Sequence, residues 1–202
     1  MAGDRQMVRG PQYVTTKLDI DGREVVIRPV EHKDVPGVAR FAAALSSHDL
    51  LFMSRDIQHA RVIDAWMEAV KHGEMDTLVA ISGDEIVATS GVLRDPLGWS
   101  AHVFEIRLIV SPSMRGKGLG RTMLDKCVGL AIEGGAKKLC ARMTPDQSGA
   151  ITLFEEAGFR GEALLRDEVC DRDGKYHDLA VLALHPERVA ARRNAFGEEK
   201  DS

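Results

Sequence analysis

The middle of the chain reads Ile106-Arg-Leu-Ile-Val-Ser-Pro-Ser-Met-Arg-Gly-Lys-Gly-Leu-Gly-Arg-Thr-Met-Leu124, an apolar run followed by a Ser/Pro loop and three alternating glycines. Beyond the glycines, apolar residues recur with the 3.6-residue period of an amphipathic helix that ends near Glu133. The pattern predicts a strand over 103–110 and a helix over 118–133, with the glycines at the helix N-terminus. Backbone N–H groups at that end lack partners within the helix and lie at the positive end of its dipole, so they can receive a phosphate.

Charge supports a local anion site in this loop. The chain has 202 residues and a formal net charge of −4, which provides no general attraction for nucleic acid or for an anionic membrane. Within seven residues, however, Arg115, Lys117 and Arg121 concentrate three cations around the glycines. Glycine also lets a phosphate approach the main chain closely. An isolated Gly-x-Gly is more often a solvated turn, but the strand before it and the helix after it favour phosphate binding.

Two familiar phosphate-binding loops do not fit the spacing. A Walker loop requires Gly-Lys-Ser/Thr, whereas Gly116-Lys117 is followed by Gly118. A dinucleotide-binding fingerprint requires Gly-x-Gly-x-x-Gly, and here the third glycine, Gly120, comes one residue early. A nucleoside triphosphate or a dinucleotide is therefore disfavoured as the ligand.

The loop instead resembles the acetyl-CoA-binding motif of the GNAT acetyltransferase superfamily, Arg/Gln-Gly-x-Gly-x-Gly/Ala, which Arg115-Gly-Lys-Gly-Leu-Gly120 matches at its fixed positions. A second stretch, Gln147 to Phe159, is similar to the Asn-x-x-Ala-x-x-Leu-Tyr-x-x-x-Gly-Phe helix of that family. The order of predicted elements from Arg23 to Leu184 also follows the family. The resemblance implies an α/β (α+β) fold with a mixed, mostly antiparallel central sheet and helices on both faces.

The resemblance further implies where acetyl-CoA binds. The cofactor is expected in a V between the strand ending at Val110 and the strand from Lys138, with its pantetheine arm paired to main chain of the first strand. No metal is expected. Two departures matter, because Gln147 replaces the usual Asn and Phe154 replaces the Tyr that often protonates the leaving thiolate. The predicted cofactor-binding residues are Leu108, Ile109, Val110, Arg115, Gly116, Lys117, Gly118, Leu119, Gly120, Arg121, Gln147 and Phe154.

Two residues are predicted to be catalytic. Glu105, on the strand that runs into the cofactor site, is the candidate base for the amine proton, and Tyr176, on the last hairpin, is the candidate acid. Arg107 shares a strand face with Glu105, so a structural ion pair or a contact to an acidic substrate are open alternatives. His102, His177 and Asp178 are lesser candidates, for which a plain structural role is favoured.

The predicted function is acetyl transfer from acetyl-CoA to a primary amine by direct attack. The amine could belong to a protein lysine, a peptide N-terminus or a small molecule, and it is expected between the segment Ser46–Asp56 and the last hairpin. The alternative is a GNAT fold that binds acyl-CoA as a non-catalytic sensor. Neither nucleic acid nor a membrane is an expected partner, and a homodimer is left open.

Other segments complete the prediction. An Asp21-Gly22 turn indicates a hairpin over 14–30, and apolar periodicity predicts helices that follow Asp34 and that run from about Ile57 to His72. The stretch Ser46–Asp56 between them is expected to be irregular. A single domain is predicted over 13–186, with a flexible N-terminus over 1–12 and a polar tail over 187–202. Three cysteines without disulfide or zinc spacing, and no secretory signal, predict a cytoplasmic protein.

Overall fold

The computed structural model describes residues 15–187 except Phe52 and Ser54. The predicted N-terminal segment 1–12 lies outside the described residues, as does the predicted tail apart from Glu187. The strands are β1 (Thr16–Ile20), β2 (Arg23–Pro29), β3 (Met75–Ser82), β4 (Glu85–Leu93), β5 (Val103–Val110), β6 (Lys138–Met143), β7 (Arg160–Cys170) and β8 (Tyr176–Leu184). The helices are α1 (Val35–Ala43), α2 (Ser47–Leu50), α3 (Ala60–Lys71), α4 (Leu119–Glu133) and α5 (Ser148–Glu156).

All eight strands form one sheet in the order β1-β2-β3-β4-β5-β6-β8-β7. Strands β5 and β6 pair in parallel, and every other neighbouring pair in the sheet is antiparallel. Parallel neighbours need a crossover, and α4 provides it between β5 and β6. The sheet is therefore mixed and mostly antiparallel.

The two faces of the sheet carry separate cores because strand side chains alternate between faces. On one face, Leu78 and Leu108 pack with α4 and α5. On the other face, Val79 and Ile109 pack with α1 and α3. Helices thus cover both faces, and the predicted fold class is confirmed.

Turn chemistry places the ends of several elements as the sequence predicts. Asp21 and Gly22 both have positive φ, as a tight two-residue hairpin turn requires, and Gly73 follows α3 with φ 72°. One expectation was wrong, because Ser46–Asp56 is not wholly irregular. It contains α2, whose N-cap Ser46 accepts a hydrogen bond through Oγ from the Asp49 N–H at 3.1 Å. The helix predicted from Ile57 begins at Ala60.

Candidate active site

The parallel strands β5 and β6 are joined over a short distance and then separate. Their ladder consists of the pairs Val103–Lys138, Phe104–Leu139 and Glu105–Cys140, although β5 continues to Val110. From Ile106 onward the ladder to β6 has ended, while β4 stays paired to the other edge of β5 as far as Val110. The V that the sequence predicted is therefore present in the sheet.

The glycine loop lies beyond the end of β5. Gly116 and Gly118 have φ of 71° and 83°, a region that favours glycine, and Gly118 is the N-cap of α4. Leu119 is fully buried and anchors the first turn of the helix in the core. A Cβ on Gly120 would lie 3.3 Å from Leu153 Cδ2 and 3.6 Å from Val110 Cγ2, so the missing side chain keeps α4 close to α5 and β5. The first N–H groups of a 15-residue helix are thus presented beside the V.

A cavity of about 650 Å³ fills the V between β5, the start of α4 and α5. A cavity of this size can hold a nucleotide-linked thioester arm, and the helix N-terminus and cations suit its phosphates. Ten of the twelve predicted cofactor residues line it, namely Leu108, Ile109, Val110, Arg115, Gly116, Gly118, Gly120, Arg121, Gln147 and Phe154. Leu119 lies in the core instead, and Lys117 forms an ion pair with Asp21 at 2.9 Å.

Arg115 already has an anionic partner in this cavity. Its Nη2 lies 2.7 Å from Asp49 Oδ1, and its Nε donates to the Val110 carbonyl at 3.1 Å. Asp49 belongs to α2, so this contact connects α2 to the glycine loop. Arg121 pairs with Asp125 one turn further along α4, at 3.0 Å.

The two departures from the family pattern have different environments. Gln147 connects the β6–α5 loop with α2. Its Oε1 accepts from the Thr144 N–H at 3.0 Å, and its Nε2 donates to the His48 carbonyl at 3.3 Å. Phe154 is 3% exposed and packs edge-on against Phe159 at a centroid distance of 5.0 Å. Phe154 is therefore a core aromatic at the cavity wall, and it carries no proton to donate.

Helix α2 lies at one end of the cavity, where a series of histidine and carboxylate contacts connects it with the β6–α5 loop and the β7–β8 hairpin. His48 Nε2 lies 3.2 Å from Asp146 Oδ2, and its ring is 5.6 Å from the ring of His177. His177 Nε2 in turn lies 2.7 Å from Asp171 Oδ2, and this contact lowers the pKa of Asp171. The neighbouring Thr144 side chain, and after it the nearby His48, lower the pKa of Asp146. Segment 46–51 and the β7–β8 hairpin are therefore in contact beside the cofactor cavity.

His48 and Asp49 are cavity residues that sequence reasoning did not assign to the cofactor site. The residues lie 66 or more positions before Arg115 in the chain, and nothing in their local pattern shows which loop they meet. A local signal did exist, since Ser46-x-x-Asp49 has the spacing of a helix cap.

The predicted base, Glu105, lies outside the cofactor cavity, on the sheet face that carries α1 and α3. Its Oε1 accepts from Arg107 Nε at 2.7 Å, and Arg142 Nε is 4.0 Å from its Oε2. The carboxylate stands on the last residue of β5 that is paired with β6, which is where the V begins to open. The ion pair that the sequence left open as an alternative is therefore present.

The remaining candidates are more distant from the cavity. Tyr176 begins β8, opposite Cys170, and its side chain is 65% exposed without lining the cavity. Asp178 accepts from the Asp167 N–H and from Arg166, and these hydrogen bonds lower its pKa. His102 is exposed before β5, where its carbonyl accepts from the Lys137 N–H at 2.9 Å.

The described residues contain neither a metal-binding cluster nor a membrane-spanning helix. No group of three or more His, Cys, Asp and Glu side chains is positioned to hold a metal ion there. None of the helices in this part of the chain combines the length and apolar character needed to cross a membrane.

A mixed sheet that opens between two parallel strands, with a glycine loop and a cavity beside the opening, is the arrangement that the resemblance to the GNAT acetyltransferases implies. Residues 43–159 match the model of the family described as "Acetyltransferase (GNAT) family". The chain belongs to this family and has its fold, as the two sequence motifs predict. Proteins of the family use acetyl-CoA.

Relatives and solved structures agree with this assignment. The chain is 31% identical over 78 residues to the protein named "Putative phosphinothricin acetyltransferase YwnH" of Bacillus subtilis (strain 168), a match that covers 39% of this chain and 47%, about half, of that relative. Its fold superposes on Mycobacterium smegmatis RimJ in complex with CoA-disulfide, with a TM-score of 0.69, 21% identity, and coverage of 91% of this chain and 94% of the other. It also superposes on yncA from Salmonella typhimurium with its cofactor acetyl-CoA, with a TM-score of 0.67, 20% identity, and coverage of 80% and 93%.

Proposed function

We propose that the protein transfers the acetyl group of acetyl-CoA to a primary amine by direct attack. The observation that carries the proposal is the cavity in the V, which has the phosphate loop at one end and the α2 cover at the other. Cofactor residues in this proposal are the ten that line the cavity, together with Lys117 and Leu119, which border it along the loop.

The chemistry requires the amine to be neutral when it attacks the acyl carbon. One C–N bond forms, the C–S bond breaks, and the amine loses one proton while the departing thiolate gains one. Negative charge on the acyl oxygen needs a hydrogen-bond donor, and backbone N–H groups of β5 near Val110 are the donors beside the opened edge. The reaction needs no metal in this proposal.

Glu105 is the proposed base, acting through a water molecule, because it stands where the V opens. Its contact with Arg107 keeps the carboxylate in one orientation, and a water could connect it with an amine at the opening. Tyr176 is the proposed acid. It lies at the start of β8, next to His177, whose ring approaches His48 at the cavity.

The test is release of free thiol from acetyl-CoA with a panel of amines. The exposed Cys170 would react with a thiol reagent, so the assay uses Cys170→Ser protein, in which the buried Cys127 and the partly buried Cys140 remain. Burial raises the pKa of the Cys140 thiol, and a blank without amine corrects for any reaction of that thiol with the reagent. Burial raises the pKa of Cys127 to about 12, which keeps that thiol protonated and unreactive. Thiol release that depends on the amine is the expected result.

The non-catalytic sensor predicts a different result. Phe154, which stands where a proton-donating Tyr is usual, is the observation in its favour. A sensor would bind acetyl-CoA in calorimetry without releasing thiol for any amine in the panel. That outcome would overturn the proposed transfer reaction.

A further inference from the structure

A second cavity of about 350 Å³ lies on the opposite face of the sheet from the cofactor cavity, under α3. Its walls are mostly apolar, and Trp66 is held in place because its Nε1–H donates to Thr77 Oγ1 at 2.8 Å. The volume is within the range of small-molecule sites. We call it the α3 cavity; it is lined by Met53, Arg55, Ile57, Val62, Ala65, Trp66, Ala69, Glu74, Met75, Thr89, Ser90, Gly91, Leu93, Arg94 and Arg107.

Gly91 forms part of the floor of the α3 cavity. It lies within β4, two residues before the strand ends and opposite Arg107, at a position where strands disfavour glycine. A Cβ there would meet Leu93 Cδ1 at 3.6 Å and Met75 Sδ at 3.7 Å, which are ordinary contacts. The sheet could therefore accept a side chain at this position, and its absence leaves space for a ligand over β4.

Arg107 presents unused hydrogen-bond donors to the α3 cavity. The guanidinium is only 14% exposed, and among the described residues its one hydrogen bond is from Nε to Glu105. A guanidinium has five N–H donors in a planar fork that matches a carboxylate, so the Nη groups are left for a ligand. Arg55, exposed at the α2–α3 connection, adds a second cation at the same cavity.

The third arginine in the lining has a different role. Arg94 Nε donates to the Gly73 carbonyl at 2.7 Å, and its Nη1 lies 3.0 Å from Asp76 Oδ2. Its cation also lies over the Phe104 ring, 5.7 Å from the centroid. Arg94 is thus engaged by the protein, and the cations that remain for a ligand are Arg107 and Arg55.

Glu105 and Arg107 place a carboxylate and a guanidinium side by side, 2.7 Å apart, at the edge of the opening V. A ligand with an ammonium and a carboxylate on one carbon can contact both groups at once. A polyamine, by contrast, would bring additional positive charge against Arg107 and Arg55, which is unfavourable at short range.

We infer that the α3 cavity binds the acceptor, and that the acceptor is a small α-amino acid. Its carboxylate pairs with Arg107 and Arg55, its amine lies beside Glu105 at the opening between β5 and β6, and its side chain occupies the space over Gly91. This inference rests on the proposed transfer function, since it names the acceptor of that reaction.

Binding to the protein without cofactor tests the inference independently of turnover. Calorimetry compares matched pairs that differ by the α-carboxylate: L-leucine with 3-methylbutylamine, and L-methionine with 3-(methylthio)propylamine. At least one amino acid should bind at least about tenfold more tightly than its decarboxylated partner. Arg107→Gln should remove this preference, and Arg107→Lys, which keeps the charge without the fork, should restore only part of it. Arg40→Gln, which replaces an exposed arginine of α1 that lines neither cavity, is the matched control.

The floor of the cavity gives a second test that does not alter charge. Gly91→Val should abolish amino-acid binding while acetyl-CoA binding stays within about threefold, and Gly91→Ala should have a smaller effect in the same direction.

Equal binding of amino acids and decarboxylated amines, or an unchanged preference in both Arg107 variants, would overturn the inference. Thiol release with amines of every kind, without preferential binding of amino acids over their decarboxylated partners, would also overturn the inference but would leave the transfer reaction standing. Amino-acid binding without any thiol release would contradict the transfer reaction alone.

Discussion

Glu105 forms an ion pair with Arg107 and is also our proposed base, and a single substitution separates the structural role from the proposed chemical one. Glu105→Gln keeps the size of the side chain but removes the charge that takes the amine proton. We expect turnover to fall by about 10²–10⁴ while acetyl-CoA affinity stays unchanged. Steady-state kinetics and calorimetry measure the two quantities. Should the loss appear instead as a lower free energy of unfolding in urea, the carboxylate serves mainly to hold Arg107.

Tyr176 and Phe154 together test the source of the thiolate proton. Tyr176→Phe is expected to lower turnover at least about tenfold, within the usual range for an acid–base group. Phe154→Tyr is the companion variant, since it returns the hydroxyl to the cavity wall. If Tyr176→Phe keeps full activity while Phe154→Tyr raises it, the native enzyme works without a tyrosine acid. If neither substitution changes turnover, thiolate departure does not limit the rate, because a thiol with a pKa of about 8.5 leaves readily. The proton would then come from water.

At the scale of the element, α4 and its N-cap contain two glycines that should respond oppositely to the same change. Gly118, the N-cap, has φ 83°, so Gly118→Ala should lower the free energy of unfolding by about 1 kcal/mol and weaken acetyl-CoA binding at least about tenfold. Gly129 lies inside the helix, and a Cβ there would meet only open space, so Gly129→Ala should raise stability by about 0.5–1 kcal/mol without changing binding. Urea unfolding and calorimetry on both variants check this. Native acetyl-CoA affinity in the Gly118→Ala protein would contradict a role of the loop in phosphate binding.

The β5–loop–α4 unit could be predicted from sequence because all of its signals are local. An apolar strand, glycines that tolerate positive φ, and a helical period lie within about 30 consecutive residues, and β6 has the bounds that its sequence predicts, Lys138 to Met143. Helix α2 was missed because four residues show no period, and its function depends on a contact between Asp49 and Arg115 across 66 positions. The α3 cavity could not be predicted from sequence either, because its lining depends on the pairing of Gly91 with Arg107 on adjacent strands.

For the whole molecule, the Arg28–Asp34 pair links the sheet to the start of α1 and should affect acid stability. Asp34 accepts from both Nη groups of Arg28 at 2.7 Å, and these hydrogen bonds, above all, lower its pKa. A lowered carboxyl pKa gives stability that is present above the unfolded value of 3.8 and is lost as pH falls through the folded value. Asp34→Asn should therefore reduce the free energy of unfolding by about 1–3 kcal/mol at pH 7, since it leaves the largely buried Arg28 with only the more exposed Glu31, at 3.6 Å, as a counter-charge.

The measurement is urea unfolding of both proteins between pH 7 and pH 2.5. The difference between them should shrink as pH drops below 3.8, because the unfolded wild-type chain then binds a proton at Asp34 that the folded protein binds only at lower pH. Lys17→Gln, which breaks an exposed ion pair with Glu24 on β1 and β2, serves as the control and should change stability by less than about 1 kcal/mol. A difference between wild type and Asp34→Asn that is independent of pH would show that packing, and not charge, accounts for the loss.

The contact between Asp49 and Arg115 has a consequence for the order in which the two substrates bind. Asp49 accepts a hydrogen bond from the Arg115 guanidinium, which we expect to contact the pyrophosphate of the nucleotide. The pyrophosphate would therefore compete with the Asp49 carboxylate for Arg115. Once displaced, Asp49 no longer fastens α2, and α2 begins the segment that leads to Met53 and Arg55 at the α3 cavity. Occupancy of one cavity then changes the affinity of the other by a factor that is the same in both directions. Either ligand of the proposed reaction could then bind first, and each would change the affinity of the protein for the other.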